Sequence, residues 1–283
     1  MAIGGVLTAM LTPFDADGRV DESAAVDLMH HLLANGSDGV VVAATTGEGT
    51  TLDDEEKCRL YELAVAECGD ATVVAGTGSN DTAHTVHLTE RATEIGVDAH
   101  LVVTPYYNKP NARGIVAHFQ AVAEATDRPI IAYNIPSRCV VDISNELLRE
   151  LAATIPQVQA VKQANNENLA PIEGMAVLAG NDEILARTME IGGTGGICVG
   201  SHLFGNEMKR IVEEPDARQE VHESLADVYA ALSVTTNPMP IKAAMRMAGH
   251  RVGGFRLPMI DLSPEEEAVV REMLERHGLL SAV

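Results

Sequence analysis

Eight short runs of small and branched apolar residues recur along the chain. They are GGVLTAML (4–11), GVVVAATT (39–46), TVVAGTG (72–78), AHLVVTP (99–105), PIIAYNIP (129–136), VQAVKQA (158–164), AVLAGND (176–182) and GGICVGS (195–201). The runs are continuously apolar rather than alternating, the pattern of parallel strands covered on both faces. Between most of them lie stretches whose apolar positions recur with helical spacing. DESAAVDLMHHLLANG (21–36) opens on an acidic cap and stops at Gly36, and TAHTVHLTERATEIG (82–96) stops at Gly96. Strands and helices alternating eight times predict a closed (β/α)8 TIM barrel. A doubly wound open sheet competes, but it usually has fewer strands and a glycine-rich first turn, which TAMLTPFD (8–15) lacks.

Past Ser201 the strand pattern stops. ARQEVHESLADVYAALSV (217–234), PIKAAMRMAG (240–249) and SPEEEAVVREMLERHG (263–278) read as three helices. The last opens on Ser263-Pro264 with Glu266 placed to complete a cap. The expected organisation is a catalytic barrel over 1–222 and a C-terminal helical region over 223–283, too slight to fold alone and packed on the barrel.

Composition narrows the function. The chain has 283 residues, 46% of them hydrophobic, enough for one large core or two modest ones. Its formal net charge of -21 argues against binding to nucleic acid or anionic lipid, which both need clustered Lys and Arg. The apolar runs are far shorter than a membrane span. MAIGGVLTAMLTPFD (1–15) has no basic leading region and runs straight into strand-like sequence, unlike a secretory signal. Cys58, Cys68, Cys139 and Cys198 form no CxxC pair and no metal-finger spacing. A reduced, cytoplasmic protein is expected.

Candidate chemistry sits at the strand ends, where a barrel of this kind builds its active site. Thr45 and Thr46 end the second run, Tyr106 and Tyr107 follow the fourth, Tyr133 and Asn134 close the fifth, and Lys162 lies in the sixth. Three of the five tyrosines gather at these ends, so one polar mouth is expected. Lys162 is one of only five lysines, with Lys57, Lys109, Lys209 and Lys242, and it stands inside an apolar strand. A lone lysine near a strand end more often snorkels or pairs with an acid. Desolvation beside tyrosines favours a neutral amine able to attack a carbonyl, with Tyr133 to move the proton. His84 and His87 lie three apart on one helix, but no further ligand recurs at metal-site spacing, so no metal is expected. The glycines of GGTGGICVG (192–200) precede a strand rather than lead into a helix, which argues against a phosphate cradle. Cys139 lies near the expected mouth with no base beside it in sequence.

AATTGEGTTLDDEE (43–56), TPYYNKP (104–110), YNIPSR (133–138) and the lysine of VKQA (161–164) resemble, in order and spacing, signatures of the dihydrodipicolinate synthase and N-acetylneuraminate lyase family. NPMPIKAAM (237–245) and FRLPMIDLS (255–263) carry the resemblance to the C-terminal helices. It implies that Lys162 forms an imine with pyruvate, that Tyr133 donates and accepts the proton, and that Thr45 and Tyr107 complete a proton relay. Tyr107 would reach the neighbouring subunit's site across a tight dimer, two such dimers making a homotetramer. Thr46, Gly180 and the backbone of Ile197 would hold substrate. Arg138 resembles the arginine that binds the carboxylate of aspartate semialdehyde in one branch of the family, and sialic acid lyases lack it. The implied reaction is condensation of pyruvate with aspartate semialdehyde to 4-hydroxy-tetrahydrodipicolinate, at the start of lysine and diaminopimelate synthesis. The covalent imine is the electron sink, so no cofactor is implied.

Some positions depart from the family pattern. Ala44 stands for a glycine, Gln163 for a common glutamate, and Cys139-Val140 for threonine and glycine. Valine at 140 bears most on the second substrate, because glycine reaches backbone conformations closed to valine. In lysine-inhibited members the inhibitor lies in a cleft at the tight-dimer interface. The matching positions keep Asn80 and Tyr106, but a carboxylate becomes His84 and a histidine becomes Lys57, which implies weak or absent inhibition. Two alternatives stay open. One is a pyruvate aldolase of the same family acting on a sugar acid, and the other is a catalytically silent barrel kept for binding.

Overall fold

All eight runs form strands in the computed structural model, which describes residues 3–280. They are β1 Gly5–Ala9, β2 Gly39–Val42, β3 Thr72–Gly76, β4 Ala99–Val103, β5 Ile130–Asn134, β6 Val158–Gln163, β7 Ala176–Ala179 and β8 Gly195–Cys198. Each pairs in parallel with the next, and β8 pairs with β1 to close the barrel. The alternation hidden in the apolar runs becomes visible here. Leu7, Val41, Val74, Leu101, Ile131, Ala160, Leu178 and Ile197 fill the interior. Their neighbours, such as Val6, Val40, Val73, Val102, Val161 and Val177, pack under the helices. Burying each such side chain contributes about 1.5–3 kcal/mol, so both faces of every strand are pinned. Lys162 follows Ala160 by two residues and therefore shares the inward face.

The strands are shorter than the runs because the apolar character continues into loops that fold over the barrel mouth. Ala43 and Thr46, for example, lie beyond β2 yet are buried. The helices begin where their caps foretell. Asp21 accepts from Ala24 N, Asp53 and Glu56 form a reciprocal cap, and Ser263 and Glu266 form another. Gly96 closes the helix Thr82–Ile95 in the left-handed region, φ 101°. One member of the outer layer is missing. Between β6 and β7 the chain makes only a 3-10 turn, Asn166–Asn168, and a bridge between Ile172 and Met175.

Beyond the helix Ser201–Glu213, the expected helix over 217–234 is two helices, Arg218–Ser224 and Ala226–Leu232. Leu225 leaves helical dihedrals while staying buried, and the Ser224 hydroxyl takes up the Val221 carbonyl. The division drawn at 222/223 thus runs inside one helix. Two more helices follow, Met239–Met247 and Pro264–Arg276. Their apolar faces join the same cluster as the barrel's outer layer: Ala244, Val270, Met273 and Leu274 pack with Val228 and Phe204. Among the described residues no helix is long and apolar enough to cross a membrane.

Candidate active site

Parallel pairing of β5 with β6 sets Tyr133 beside Lys162 in register. Both side chains point into the barrel near its C-terminal end, each about 5% exposed. Lys162 Nζ lies 4.3 Å from the centre of the Tyr133 ring. Among the described residues it makes no hydrogen bond or ion pair, so it neither snorkels nor pairs with an acid. By contrast, Lys209 is held by Asp38 at 2.7 Å and Lys242 by Glu48 at 2.7 Å. An unpaired, desolvated amine against a phenol suits attack on a carbonyl.

Lys162 opens onto a cavity of about 240 Å³ that Thr45, Thr46, Arg138, Gly180 and Asp182 also line. The loop after β2 delivers the threonines through a tight reversal. Ala43 and Glu48 both adopt left-handed backbone, φ 54° each, and Gly49 N bonds back to Ala44 O at 3.0 Å. A side chain at Gly49 would overlap the Ala43 carbonyl, so that position needs glycine. The Thr46 hydroxyl accepts from Asn237 Nδ2 at 3.0 Å, and the Asn237 carbonyl accepts from Arg138 Nη2 at 3.0 Å. Asn237, just before the helix Met239–Met247, therefore ties the two substrate-side residues together. Sequence reasoning passed over it, although it stands inside the NPMPIKAAM stretch.

At the end of β7, a Cβ on Gly180 would lie 2.7 Å from the Gln163 carbonyl, so the strand approach requires glycine there. Next to it, Asp182 accepts from Val199 N at 2.9 Å and Gly200 N at 2.6 Å. Burial pushes its carboxyl up, and those two N–H groups and the Lys162 charge oppose the rise. The Gln163 amide oxygen accepts from Asn134 Nδ2 and Asn165 N, both at 3.0 Å. The same Asn134 amide donates to Asp142 at 2.7 Å. A glutamate at 163 would bring a second carboxylate to that amide, which the neutral glutamine avoids.

Arg138 sits in the four-residue helix Pro136–Cys139, which ends at Val140 in the left-handed region, φ 63°. The valine thus keeps the conformation expected of glycine, held by its N–H to Pro136 O at 2.9 Å. Cys139 is buried behind Arg138, and burial pushes its thiol up to about 11, away from a reactive thiolate.

Two expected residues stay outside the cavity of this single chain. Tyr107 projects from the loop after β4, 89% exposed and with φ 73°. The strand-end tyrosines therefore do not all meet at one mouth, because the left-handed turn at 107 swings that ring outward. The Ile197 side chain is fully buried in the barrel interior and does not line the cavity, which leaves only its backbone for the expected contact. A second cavity of about 520 Å³ shares Thr45, Tyr133, Arg138 and Asn237 with the first and extends to Lys57, Asn80, His84 and Tyr106.

A sequence profile of the Dihydrodipicolinate synthetase family matches residues 2–277. The chain is 43% identical over 289 residues to the 4-hydroxy-tetrahydrodipicolinate synthase of Symbiobacterium thermophilum, covering 98% of this chain and 99% of that one. It is 40% identical over 279 residues to the enzyme of the same name from Bacillus subtilis, covering 94% and 96%. The fold superposes, with a TM-score of 0.94 and 37% identity, on a dihydrodipicolinate synthase from Cyanidioschyzon merolae solved with lysine bound, covering 98% and 99%. With near-complete coverage at such identities, the chain belongs to the dihydrodipicolinate synthetase family.

Proposed function

We propose that the protein condenses pyruvate with L-aspartate 4-semialdehyde to give 4-hydroxy-tetrahydrodipicolinate, the product in the names of its relatives. Lys162 attacks the pyruvate ketone, and loss of water leaves a protonated imine. That cation draws electrons from the adjacent methyl group, which gives up a proton to become an enamine. The enamine carbon bonds to the semialdehyde carbon, whose oxygen takes a proton. The substrate's amino group then attacks the imine carbon, closes the ring and frees Lys162. Tyr133 moves the protons, with Thr45 and the Tyr107 of a second copy completing the relay. Thr46, Gly180 and the Ile197 backbone hold pyruvate, and Arg138 holds the semialdehyde carboxylate.

The observation that carries this reading is the unpaired Lys162 amine against the Tyr133 ring, in a cavity with Arg138 on its wall. An 89% exposed Tyr107 fits a residue that a second copy covers, and a tetramer of two tight dimers goes with the reading. The four free thiols, all buried, accord with a reducing cytoplasm.

Borohydride added with pyruvate is expected to trap one covalent adduct, mapped to Lys162, and Lys162→Arg is expected to lose it. Arginine keeps the charge but is a poor imine-forming nucleophile. An adduct on Lys109 or Lys242 refutes the assignment. Turnover with sugar-acid aldehydes but not with aspartate semialdehyde would move the protein to the sugar-acid aldolases.

A further inference from the structure

Lys242 is buried more completely than Lys162, with 0% exposure against 5%. It stands in the helix Met239–Met247, five residues after Asn237. Its ammonium donates to Glu48 Oε1 at 2.7 Å and to the Thr12 carbonyl at 2.9 Å, and lies 4.3 Å from the centre of the Phe14 ring. Glu48 is nearly as enclosed, at 3%, and its second oxygen accepts from Arg256 N at 3.1 Å. The C-terminal segment thus grips the loop after β2 twice, through one carboxylate. Burial pushes the Lys242 ammonium down to about 8, against the pull of Glu48.

A pair so deep is a poor stabiliser, because desolvating both ions offsets most of their attraction and apolar replacements are often as stable or more so. What it fixes is registry, since the helix has one position in which the ammonium meets its carboxylate. That position determines where Asn237 stands, and Asn237 holds both the Thr46 hydroxyl and the Arg138 guanidinium. We propose that Lys242 and Glu48 are positioning residues, which hold the C-terminal helix against the loop after β2 so that Asn237 aligns Thr46 and Arg138 for the two substrates. The pair touches neither Lys162 nor Tyr133, so it acts on substrate binding and not on the amine. This inference rests on the condensation proposed above.

The test is the double variant Lys242→Met/Glu48→Gln, which leaves no unpaired buried charge. Its expected signature is a split: KM for pyruvate and for aspartate semialdehyde each rise about tenfold while kcat stays within about twofold. Borohydride trapping at saturating pyruvate should still label Lys162 fully. A variant with unchanged KM values overturns the proposal. So does one whose kcat and labelled fraction fall together with its melting temperature, which marks a merely structural pair. If the double variant folds poorly, Asn237→Ser decides, because it removes the Nδ2 donor to Thr46, keeps the backbone carbonyl that Arg138 uses and does not touch the pair. A raised KM for pyruvate at unchanged kcat supports the proposal there, and a wild-type KM for pyruvate overturns it. Wild-type enzyme that turned over no aspartate semialdehyde would instead defeat the function, not this inference.

Discussion

Adding L-lysine to the turnover assay probes the larger cavity, where the cleft positions of lysine-inhibited relatives come together as Lys57, Asn80, His84 and Tyr106. A ligand ammonium there needs a free carboxylate. Of the acids that line the cavity, Glu48 is paired with Lys242 and Arg256 N, and Asp81 caps the helix Thr82–Ile95 through its Oδ1. Asp54 beside His84 is also occupied, because His84 Nε2 lies 2.8 Å from its Oδ1. Burial raises the Asp54 carboxyl, but the His84 hydrogen bond and nearby positive charges pull it below the usual range, so it stays ionised and committed. Burial lowers the Lys57 ammonium, with Asp54 and Asp53 holding it up, and among the described residues Lys57 has no direct partner. Losing one charge-assisted bond removes about 1.5–3 kcal/mol. A like charge at about 8 Å adds roughly 2 kcal/mol at an effective dielectric of about 20. Together they weaken lysine binding by roughly two and a half to three and a half decades. Activity is therefore expected to persist at about 10 mM lysine, and half-inhibition below about 1 mM, or about −4 kcal/mol of binding, refutes the reasoning. The swap His84→Glu/Lys57→His should raise sensitivity at least about tenfold. If it changes nothing, the charges of this cleft do not govern the response.

Other outcomes follow from particular residues. Among the described residues only one of Arg138's N–H groups is engaged, with the Asn237 carbonyl, which leaves the rest of its fork for a carboxylate. Arg138→Ala should lose roughly 2–4 kcal/mol of kcat/KM for aspartate semialdehyde while pyruvate trapping survives, and an unchanged apparent affinity refutes the role. Val140 holds a left-handed backbone that costs a branched residue about 1–2 kcal/mol, against about 0.5–1 kcal/mol of extra unfolded-state freedom for glycine. Val140→Gly should thus raise stability by up to about 1.5 kcal/mol, and a lower melting temperature counts against strain there. Burial depresses His100, His118 and His202 to about 4 from the ordinary 6.5. Between those values the unfolded chain binds protons that the folded chain refuses. The stability these rings give is complete above pH 6.5 and is lost as pH falls toward 4, by at most about 3 kcal/mol per ring. Urea unfolding at pH 7.5 and 5 should show it, and a His118→Gln variant with an undiminished loss argues that this ring plays no part.

The barrel was legible because each strand is covered on both faces, which writes an unbroken apolar run into the sequence. Lys162 was legible for the same reason: a cation in such a run stands out. The break at Leu225 left no trace, since Val221, Leu225 and Val228 are all buried and keep helical spacing across it. The outward swing of Tyr107 depends on one backbone dihedral that its residue type does not announce. Lys242 sat in plain view in PIKAAMRM, yet its burial arises from contact with Glu48, almost two hundred residues away in sequence. The signal was there in part, because every residue from Pro240 to Met245 is buried, and a helix apolar on all sides has to be enclosed.

The scarcity and placement of lysine also govern how the protein meets amine-reactive reagents. Lys209 is engaged by Asp38, Lys242 is sealed, and Lys57 lies in the cleft, which leaves Lys109 as the one exposed lysine among the described residues. It stands two residues from Tyr107. Bulky acylating labels should therefore attach at Lys109 in the single chain, and a second copy seated over Tyr107 should shield it. Small electrophiles have a second target in Lys162, which pyruvate shields, so labelling with and without pyruvate separates a surface tag from an active-site tag in one peptide map.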